Sequence, residues 1–142
     1  VRRQRQMCIR DSAYTSQFSS HTMEYFVKLT ENYNMIPVLT HVERYPALIN
    51  DPSIIGELKD MGVIIQTNTN SYTKKASFFS KLKLIKLIKG GYIDVIGSDA
   101  HSLTHNDPRT FTEALDFISA KCGQSTVRKM MSNAEEIFNS AL

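Results

Sequence analysis

Short apolar runs alternate with longer amphipathic stretches from Ser20 to the end of the chain. Three of the runs, residues 36–40, 63–67 and 92–97, contain few polar side chains, which is typical of strands covered on both faces. The stretches between them repeat apolar residues every three or four positions, as helices with one buried face do. Strands separated by such helices lie parallel and are joined by right-handed connections. The pattern predicts an α/β fold with parallel strands and outer helices.

Capping residues mark where the predicted helices begin. Asp-Pro is a strong start, because the carboxylate accepts a free amide and proline fits the first helical position. The polar stretch 68–73 is predicted to be a loop. The predicted helices begin at Ser20, at Asp51-Pro52, at Phe78, at Asp107-Pro108 and, as two short helices, near Ser125 and Ser132.

The composition is that of a single soluble globular domain. The chain has 142 residues, of which 42% are hydrophobic and 22% charged, close to the average for globular domains. No apolar run approaches the roughly 20 residues that cross a bilayer, and no apolar stretch follows the basic N-terminus as in a secretory signal. Cys8 and Cys122 are far apart and lack the spacing of metal ligands, which favours a reduced, cytoplasmic compartment.

The net charge of +3 comes from the first twelve residues, which contain four arginines and one acid; the rest of the chain has 13 basic and 13 acidic side chains. A neutral body with one short basic tail argues against a nucleic-acid partner. Residues 7–12 of this tail resemble a translated sequencing-adaptor read. We therefore expect residues 1–12 to be a non-native tail outside the fold. Residues 13–142 would be the C-terminal part of one domain, whose gene product extends further upstream.

Metal-ligand residues follow the first and third predicted strands: His41 comes after one, and Asp99 and His101 come after the other. Reactive residues collect at the carboxyl ends of parallel strands. A lone histidine such as His41 is ordinarily a hydrogen-bonded structural residue. Because Asp-x-His follows a second strand, we instead interpret His41 as part of a metal site. Its carboxylate and imidazole groups suit Mn²⁺, Zn²⁺ or Fe²⁺.

Arg44 lies three residues beyond His41. A guanidinium group can bind phosphate oxygens in a bidentate manner, and a metal cluster lowers the pKa of a bound water to about 7. Together these groups would perform metal-assisted phosphoester hydrolysis. From spacing alone, a salt bridge to Glu43 or another nearby acid explains Arg44 equally well. Glu43 could also orient a metal ligand by hydrogen bonding.

Four segments resemble the CpsB/YwqE-type protein-tyrosine phosphatases of the PHP superfamily. Residues 37–45 (PVLTHVERY) resemble their PVIAHxERY segment, and residues 94–101 (DVIGSDAH) resemble VASDxH. Residues 61–68 resemble their GxxxQI(N/T) strand, and residues 132–137 resemble a segment near their C-terminus. The segments follow the family's order and spacing from about residue 20 to the end.

This resemblance implies the C-terminal part of a distorted (β/α)₇ PHP barrel and the hydrolysis of protein phosphotyrosine with a di- or trinuclear Mn²⁺ cluster. It implies as substrates the phosphorylated tyrosine-rich tails of bacterial tyrosine kinases that control capsule and exopolysaccharide synthesis, so that any membrane contact is made through a partner. Carried over residue by residue, it makes His41, Asp99 and His101 metal ligands and Arg44 a phosphate-contacting arginine.

Two departures from the family pattern matter. The family places a second arginine shortly after Asp-x-His, whereas Arg109 arrives a few residues late here. Arg109 is either that second catalytic arginine or an ordinary first-turn helix residue, and His105 is another candidate for the same space. The family's first His-x-His strand and its bridging glutamates do not occur in the chain. We therefore expect the chain as printed to be catalytically incompetent by itself.

Two other interpretations stay open. Another PHP-type phosphoesterase, such as a histidinol-phosphatase-like enzyme, fits the metal motif, although the HxER motif favours the tyrosine-phosphatase branch. A non-catalytic membrane-surface module is the other, because four lysines interleave with apolar residues and could lie on an anionic bilayer. An outer helix with a solvated lysine face explains the same pattern. The lysines are Lys81, Lys83, Lys86 and Lys89.

Overall fold

The computed structural model describes the backbone of residues 6–9, 18–100 and 109–141, and the side chains of residues 18–100 and 109–140. The predicted metal ligand His101 and the alternative His105 lie outside the described residues. The predicted helix start at Asp107-Pro108 lies outside them too.

Parallel strands form a four-stranded sheet in this part of the chain, and each strand lies beside the next one in sequence. The α/β fold with parallel strands is therefore confirmed. Because the strands run in one direction, their carboxyl ends meet at one edge of the sheet. The strands are β1 (Gln6–Ile9), β2 (Ile36–Leu39), β3 (Ile64–Asn68) and β4 (Val95–Gly97).

Strand β1 was not expected, because residues 1–12 were predicted to lie outside the fold. Gln6 lies opposite Ile36 and Ile9 opposite Leu39, in parallel register. The segment shows no alternation of apolar and polar residues, which is why the sequence did not indicate a strand. Strand pairing itself uses main-chain N–H and C=O groups, which four residues of any pattern supply. The adaptor origin of this segment stays a prediction.

The helices before β3 contribute buried residues to the core, with small shifts from their predicted bounds. Helix α1 (Ser20–Val27) continues into a π-helical turn, Lys28–Asn32, and Ser19 rather than Ser20 is its N-cap. A short helix, α2 (Pro46–Asn50), was not predicted. Helix α3 (Pro52–Asp60) begins as predicted.

Helix α4 (Phe78–Lys89) has its predicted bounds. Its apolar face, formed by Leu84, Ile85, Leu87 and Ile88, is buried. This is the arrangement that the outer-helix interpretation requires. The first turn differs, because Phe78 is 61% and Phe79 77% exposed.

Helix α5 (Thr110–Cys122) ends at Gly123, whose φ of 92° suits glycine. The two short helices predicted after it were wrong, since one helix of 18 residues, α6 (Gln124–Ala141), takes their place. Ser132 was interpreted as a cap, yet the same apolar stripe continues past it and serine is tolerated inside a helix that packs well. Asn133 uses its side chain to bind the sheet, donating to the carbonyl oxygen of Asp94 at 2.9 Å.

The core lies between the sheet and these helices, and several of its largest side chains are fully buried. Polar contacts of Asp94 join helix α3 and strand β3 to the start of β4 at the amino end of the sheet. The carboxylate of Asp94 accepts hydrogen bonds from Lys59 Nζ and from the Ile65 amide, and the Asp94 amide donates to the Ile65 carbonyl at 2.9 Å. Among the helices of the described residues, none has the length and apolar character needed to cross a membrane.

Candidate functional site

His41 lies two residues beyond the end of β2, where the backbone turns sharply. Its φ of 59° and ψ of 43° place it in the left-handed region, which non-glycine residues seldom adopt. Its amide donates to Gln66 Oε1 of the neighbouring strand β3 at 2.9 Å. His41 is only 5% exposed. The turn therefore directs a buried imidazole to the carboxyl edge of the sheet.

Asp99 lies two residues beyond the end of β4 and also has a left-handed backbone, with a φ of 49°. Its Oδ2 atom is 3.6 Å from His41 Nε2, which is longer than an N–H···O hydrogen bond of about 2.7–3.2 Å. Two ligands about 2.1 Å from one ion at a tetrahedral angle lie roughly 3.4 Å apart. The separation of these two atoms therefore suits a pair that shares a cation.

Glu43 lies on the other side of the imidazole, in the 3₁₀ turn Val42–Arg44. Its Oε1 atom accepts the Asn68 amide at 3.2 Å and is 3.8 Å from His41 Nδ1. Within the described residues, His41 Nδ1 and Glu43 Oε2 are buried without a hydrogen-bond partner. Such orphaned buried atoms are destabilising unless a further polar group or ion satisfies them.

The donor set fits a divalent metal in its chemistry. An imidazole and a carboxylate converge from two strands, and a second carboxylate stands behind the imidazole, as in sites for Mn²⁺, Zn²⁺ or Fe²⁺. Among the residues that the structure describes, no group of three or more His, Cys, Asp or Glu side chains could hold an ion. The third predicted ligand, His101, is outside that part of the chain.

The two predicted arginines both lie at the surface. The Arg44 amide donates to the His41 carbonyl at 2.9 Å and closes the turn, while its side chain is exposed. Arg109 is exposed directly before α5. The carboxylate of Glu43, the suggested salt-bridge partner of Arg44, lies against His41 and Asn68. The phosphate-binding roles of both arginines stay predictions.

Gln66 and Asn68 belong to this site, although the sequence interpretation did not single them out. Gln66 Nε2 donates to the Thr67 carbonyl at 2.9 Å and to Asn68 Oδ1 at 3.2 Å. Both residues are buried at the end of β3. The available signal was the run Gln-Thr-Asn that ends an otherwise apolar strand, because polar residues on a strand covered on both faces need internal partners.

Thr67, between these two residues, forms a separate polar contact. Its hydroxyl lies 2.7 Å from the Tyr72 hydroxyl, and both residues are at most 1% exposed. Burial raises the pKa of the Tyr72 phenol well above its usual value, although the hydrogen bond to Thr67 opposes this shift. The phenol therefore stays neutral and structural at physiological pH.

Comparison with known proteins gives consistent matches over most of the chain. The family model described as "Capsular polysaccharide synthesis, CpsB/CapC" matches residues 13–139. The tyrosine-protein phosphatase CpsB of Streptococcus pneumoniae is 31% identical over an alignment of 132 residues that covers 86% of this chain and 54% of that protein. CpsB of Streptococcus agalactiae serotype V is 29% identical over 108 residues, covering 72% of this chain and 44% of the relative.

A solved structure agrees with the fold. A chain from the crystal structures of YwqE from Bacillus subtilis and CpsB from Streptococcus pneumoniae, described as metal-dependent tyrosine phosphatases, matches with a TM-score of 0.76 and 22% identity. The match covers 89% of this chain and 50% of the other. The chain therefore spans about half the length of the relatives it matches.

Proposed function

The chain belongs to the CpsB/CapC family of capsular polysaccharide synthesis proteins, and from this premise we propose that it forms part of a metal-dependent hydrolase of protein phosphotyrosine. The observation that carries the proposal is the convergence of His41 Nε2 and Asp99 Oδ2, 3.6 Å apart, from two different strands. Relatives named as tyrosine-protein phosphatases support the reaction class. The strand order, with each strand beside the next, supports a place in a distorted (β/α)₇ barrel.

His41, Asp99 and His101 would hold the metal in this proposal, and Mn²⁺ is the first choice, with Zn²⁺ or Fe²⁺ as alternatives. A bound ion would supply a water of lowered pKa and neutralise phosphoryl oxygens. Glu43 Oε1 lies 3.8 Å from His41 Nδ1, so Nε2 is the ring nitrogen directed towards Asp99 and the proposed metal.

The protein's own residues have three tasks in this proposal. Arg44, exposed at the end of the turn that follows β2, would bind phosphate oxygens in a bidentate manner. Glu43 would hold the imidazole of His41 in one orientation. Arg109 would be a second phosphate contact that approaches from the start of α5.

The proposed substrates are phosphorylated tyrosine-rich tails of bacterial tyrosine kinases in the cytoplasm, because the family is one of capsular polysaccharide synthesis. Any membrane contact would be made through such a partner. We also propose that His41, Asp99 and His101 do not make a complete catalytic cluster by themselves. The chain as printed would then be inactive alone.

A chimera tests this function directly. Residues 13–139 would replace the matched segment of the Streptococcus pneumoniae relative, and Mn²⁺-dependent hydrolysis of a phosphotyrosine peptide would be compared with hydrolysis of histidinol phosphate. We expect phosphotyrosine to be preferred, and His41→Ala and Asp99→Asn each to lower kcat/KM by at least about 100-fold, as loss of a metal ligand does.

The control is Lys129→Ala, an exposed change in α6 outside the candidate site, which should leave kcat/KM unchanged. Equal activity of the His41 and Asp99 variants with the parent chimera would refute the assignment of the site. A preference for histidinol phosphate would move the protein to the other phosphoesterase branch.

A further inference from the structure

The carboxamide of Gln66 forms three hydrogen bonds within the candidate site. Its oxygen accepts the His41 amide at 2.9 Å, and its nitrogen donates to the Thr67 carbonyl at 2.9 Å and to Asn68 Oδ1 at 3.2 Å. Gln66 is 9% exposed, so these bonds form away from competing water. The orientation of the amide is therefore defined, with its oxygen towards β2 and its nitrogen towards the end of β3.

These bonds form a chain that leads from the His41 backbone to Glu43, which lies beside the imidazole of His41. The His41 amide binds Gln66, and Gln66 binds the Asn68 side chain. The backbone amide of Asn68 donates to Glu43 Oε1 at 3.2 Å, and this oxygen lies 3.8 Å from His41 Nδ1. Gln66 and Asn68 of β3 thus bind the His41 backbone and Glu43 Oε1, the carboxylate oxygen beside the imidazole.

We propose that Gln66 is a positioning residue, which holds the left-handed backbone of His41 and so directs the imidazole towards Asp99. The φ of 59° at His41 is unfavourable for a residue with a side chain, so it persists only where the surroundings stabilise it. The bond from the His41 amide to Gln66 is the contact across strands that does so. The link from positioning to metal binding rests on the proposed function.

The neighbouring strand β4 leaves space for the Gln66 carboxamide at Gly97. A Cβ atom added to Gly97 would lie 2.8 Å from Gln66 Nε2, closer than side chains tolerate, so the amide would have to move. Gly97 precedes Asp99 by two residues. The Gln66 amide therefore lies between the strand that carries His41 and the strand that carries Asp99, and the absence of a side chain at Gly97 makes room for it.

The first experiment follows the His41 backbone by NMR on the full 142-residue chain without metal. Gln66→Met keeps the length of the side chain and removes its hydrogen bonds. We expect hydrogen exchange of the His41 amide, measured relative to the amides of buried strand residues, to accelerate about tenfold, as for loss of one hydrogen bond. The matched control is Asn133→Leu, which removes an amide that binds the Asp94 carbonyl at the other end of the sheet and should leave the relative exchange of His41 unchanged.

The second experiment measures Mn²⁺ affinity from the EPR signal of the free ion. Asp99→Asn should abolish the Mn²⁺ binding of the parent chain. We expect Gln66→Met to weaken that binding by about 10- to 100-fold, the usual effect of removing a residue that orients a ligand. Gly97→Ala should give a similar loss by displacing the amide. The double variant should be no weaker than Gln66→Met alone, because both changes act on the same hydrogen bond. Asn133→Leu should bind as the parent chain does.

The outcomes separate the two ideas. If the parent chain shows no Mn²⁺ binding that depends on Asp99, the proposed metal site fails, and the exchange of the His41 amide still decides the positioning role. If the relative exchange of His41 is the same in Gln66→Met and the parent, the positioning role is overturned. Equal Mn²⁺ affinity in those two chains, where the parent binds, overturns the link from positioning to metal binding. Additive losses in the double variant would show that Gly97 acts by another route.

Discussion

Replacing Tyr72 by phenylalanine removes one buried hydroxyl and leaves the ring in place. The hydroxyl of Thr67, 2.7 Å from the Tyr72 hydroxyl, then loses its partner in a site where neither residue is more than 1% exposed. A buried hydrogen-bonding group left unpaired costs about 1–2 kcal/mol. We therefore expect Tyr72→Phe to lower the free energy of unfolding by about 1–2 kcal/mol at pH 7.

The same variant should become the more stable protein at alkaline pH. Burial raises the pKa of Tyr72 in the folded protein, whereas the unfolded phenol ionises near its usual pKa of about 10. Above that pH the unfolded parent chain releases a proton that the folded chain retains, so its stability falls by up to about 1.4 kcal/mol per pH unit. Tyr72→Phe has no such proton, and the stabilities should cross near pH 11.

The assay is urea unfolding of both proteins at several pH values from 7 to about 11.5. The other five tyrosines occur in both proteins, so their ionisation cancels in the difference. A stability difference that stays constant from pH 7 to 11.5 would refute the reasoning, because it would mean that the folded phenol ionises as easily as the unfolded one. A difference near zero at pH 7 would refute the role of the hydroxyl contact.

Three further changes test the fold by urea unfolding. Leu58→Ala should lower the free energy of unfolding by about 2–5 kcal/mol, because Leu58 is 0% exposed and its removal leaves a cavity; a loss below 1 kcal/mol would contradict its place in the core. Asp51→Ala should cost about 1 kcal/mol, since the carboxylate accepts the Ser53 amide at 3.2 Å, and Asp51→Asn should restore most of it. Asp94→Asn keeps an acceptor for the Ile65 amide but removes the ion pair with Lys59. It should therefore lower the free energy of unfolding by less than Leu58→Ala does, and this loss should shrink in 1 M salt. A loss unaffected by salt would contradict the ion pair.

The elements that the sequence predicts best are those that carry two independent signals. Helix α3 has both an Asp-Pro start and a buried apolar face, and Phe78–Lys89 has a regular apolar repeat ended by Gly90-Gly91. Short elements without such signals were missed. Pro46–Asn50 has five residues, and the turn Thr69–Tyr72 looked like a loop because its buried residues, Thr69 and Tyr72, are partly polar.

The helix at the end of the chain shows the opposite error. A serine was taken as the start of a new helix near residue 132, where the structure has one helix, Gln124–Ala141. Local capping signals cannot reveal that packing against α5 and β4 continues along the same face. Asn133 is a further tertiary effect, since its bond to the Asp94 carbonyl joins residues that are far apart in sequence.

For the candidate site, the sequence predicts where the candidate ligands lie but not what holds them. His41 and Asp99 could be selected because each follows a strand, and the structure places them within 3.6 Å. The supporting bonds of Gln66 and Asn68 depend on the register between β2 and β3 and on side-chain orientation. Neither is encoded in a local pattern of residues. The left-handed backbone at His41 and Asp99 was equally invisible, because neither residue is a glycine.

The pairing of each strand with its immediate successor has a consequence for how the molecule folds. Val38 pairs with Ile64 and Gln66 with Val95, so each closure joins residues separated by a similar, moderate length of chain. Loop-closure entropy grows only logarithmically with length, and here no early step requires a much longer closure than the next. The chain can therefore assemble one strand-and-helix unit at a time, each new strand using the last one as its template. We expect mutations in β2 or β3, each of which is shared by two such closures, to slow folding more than mutations of equal cost in α6.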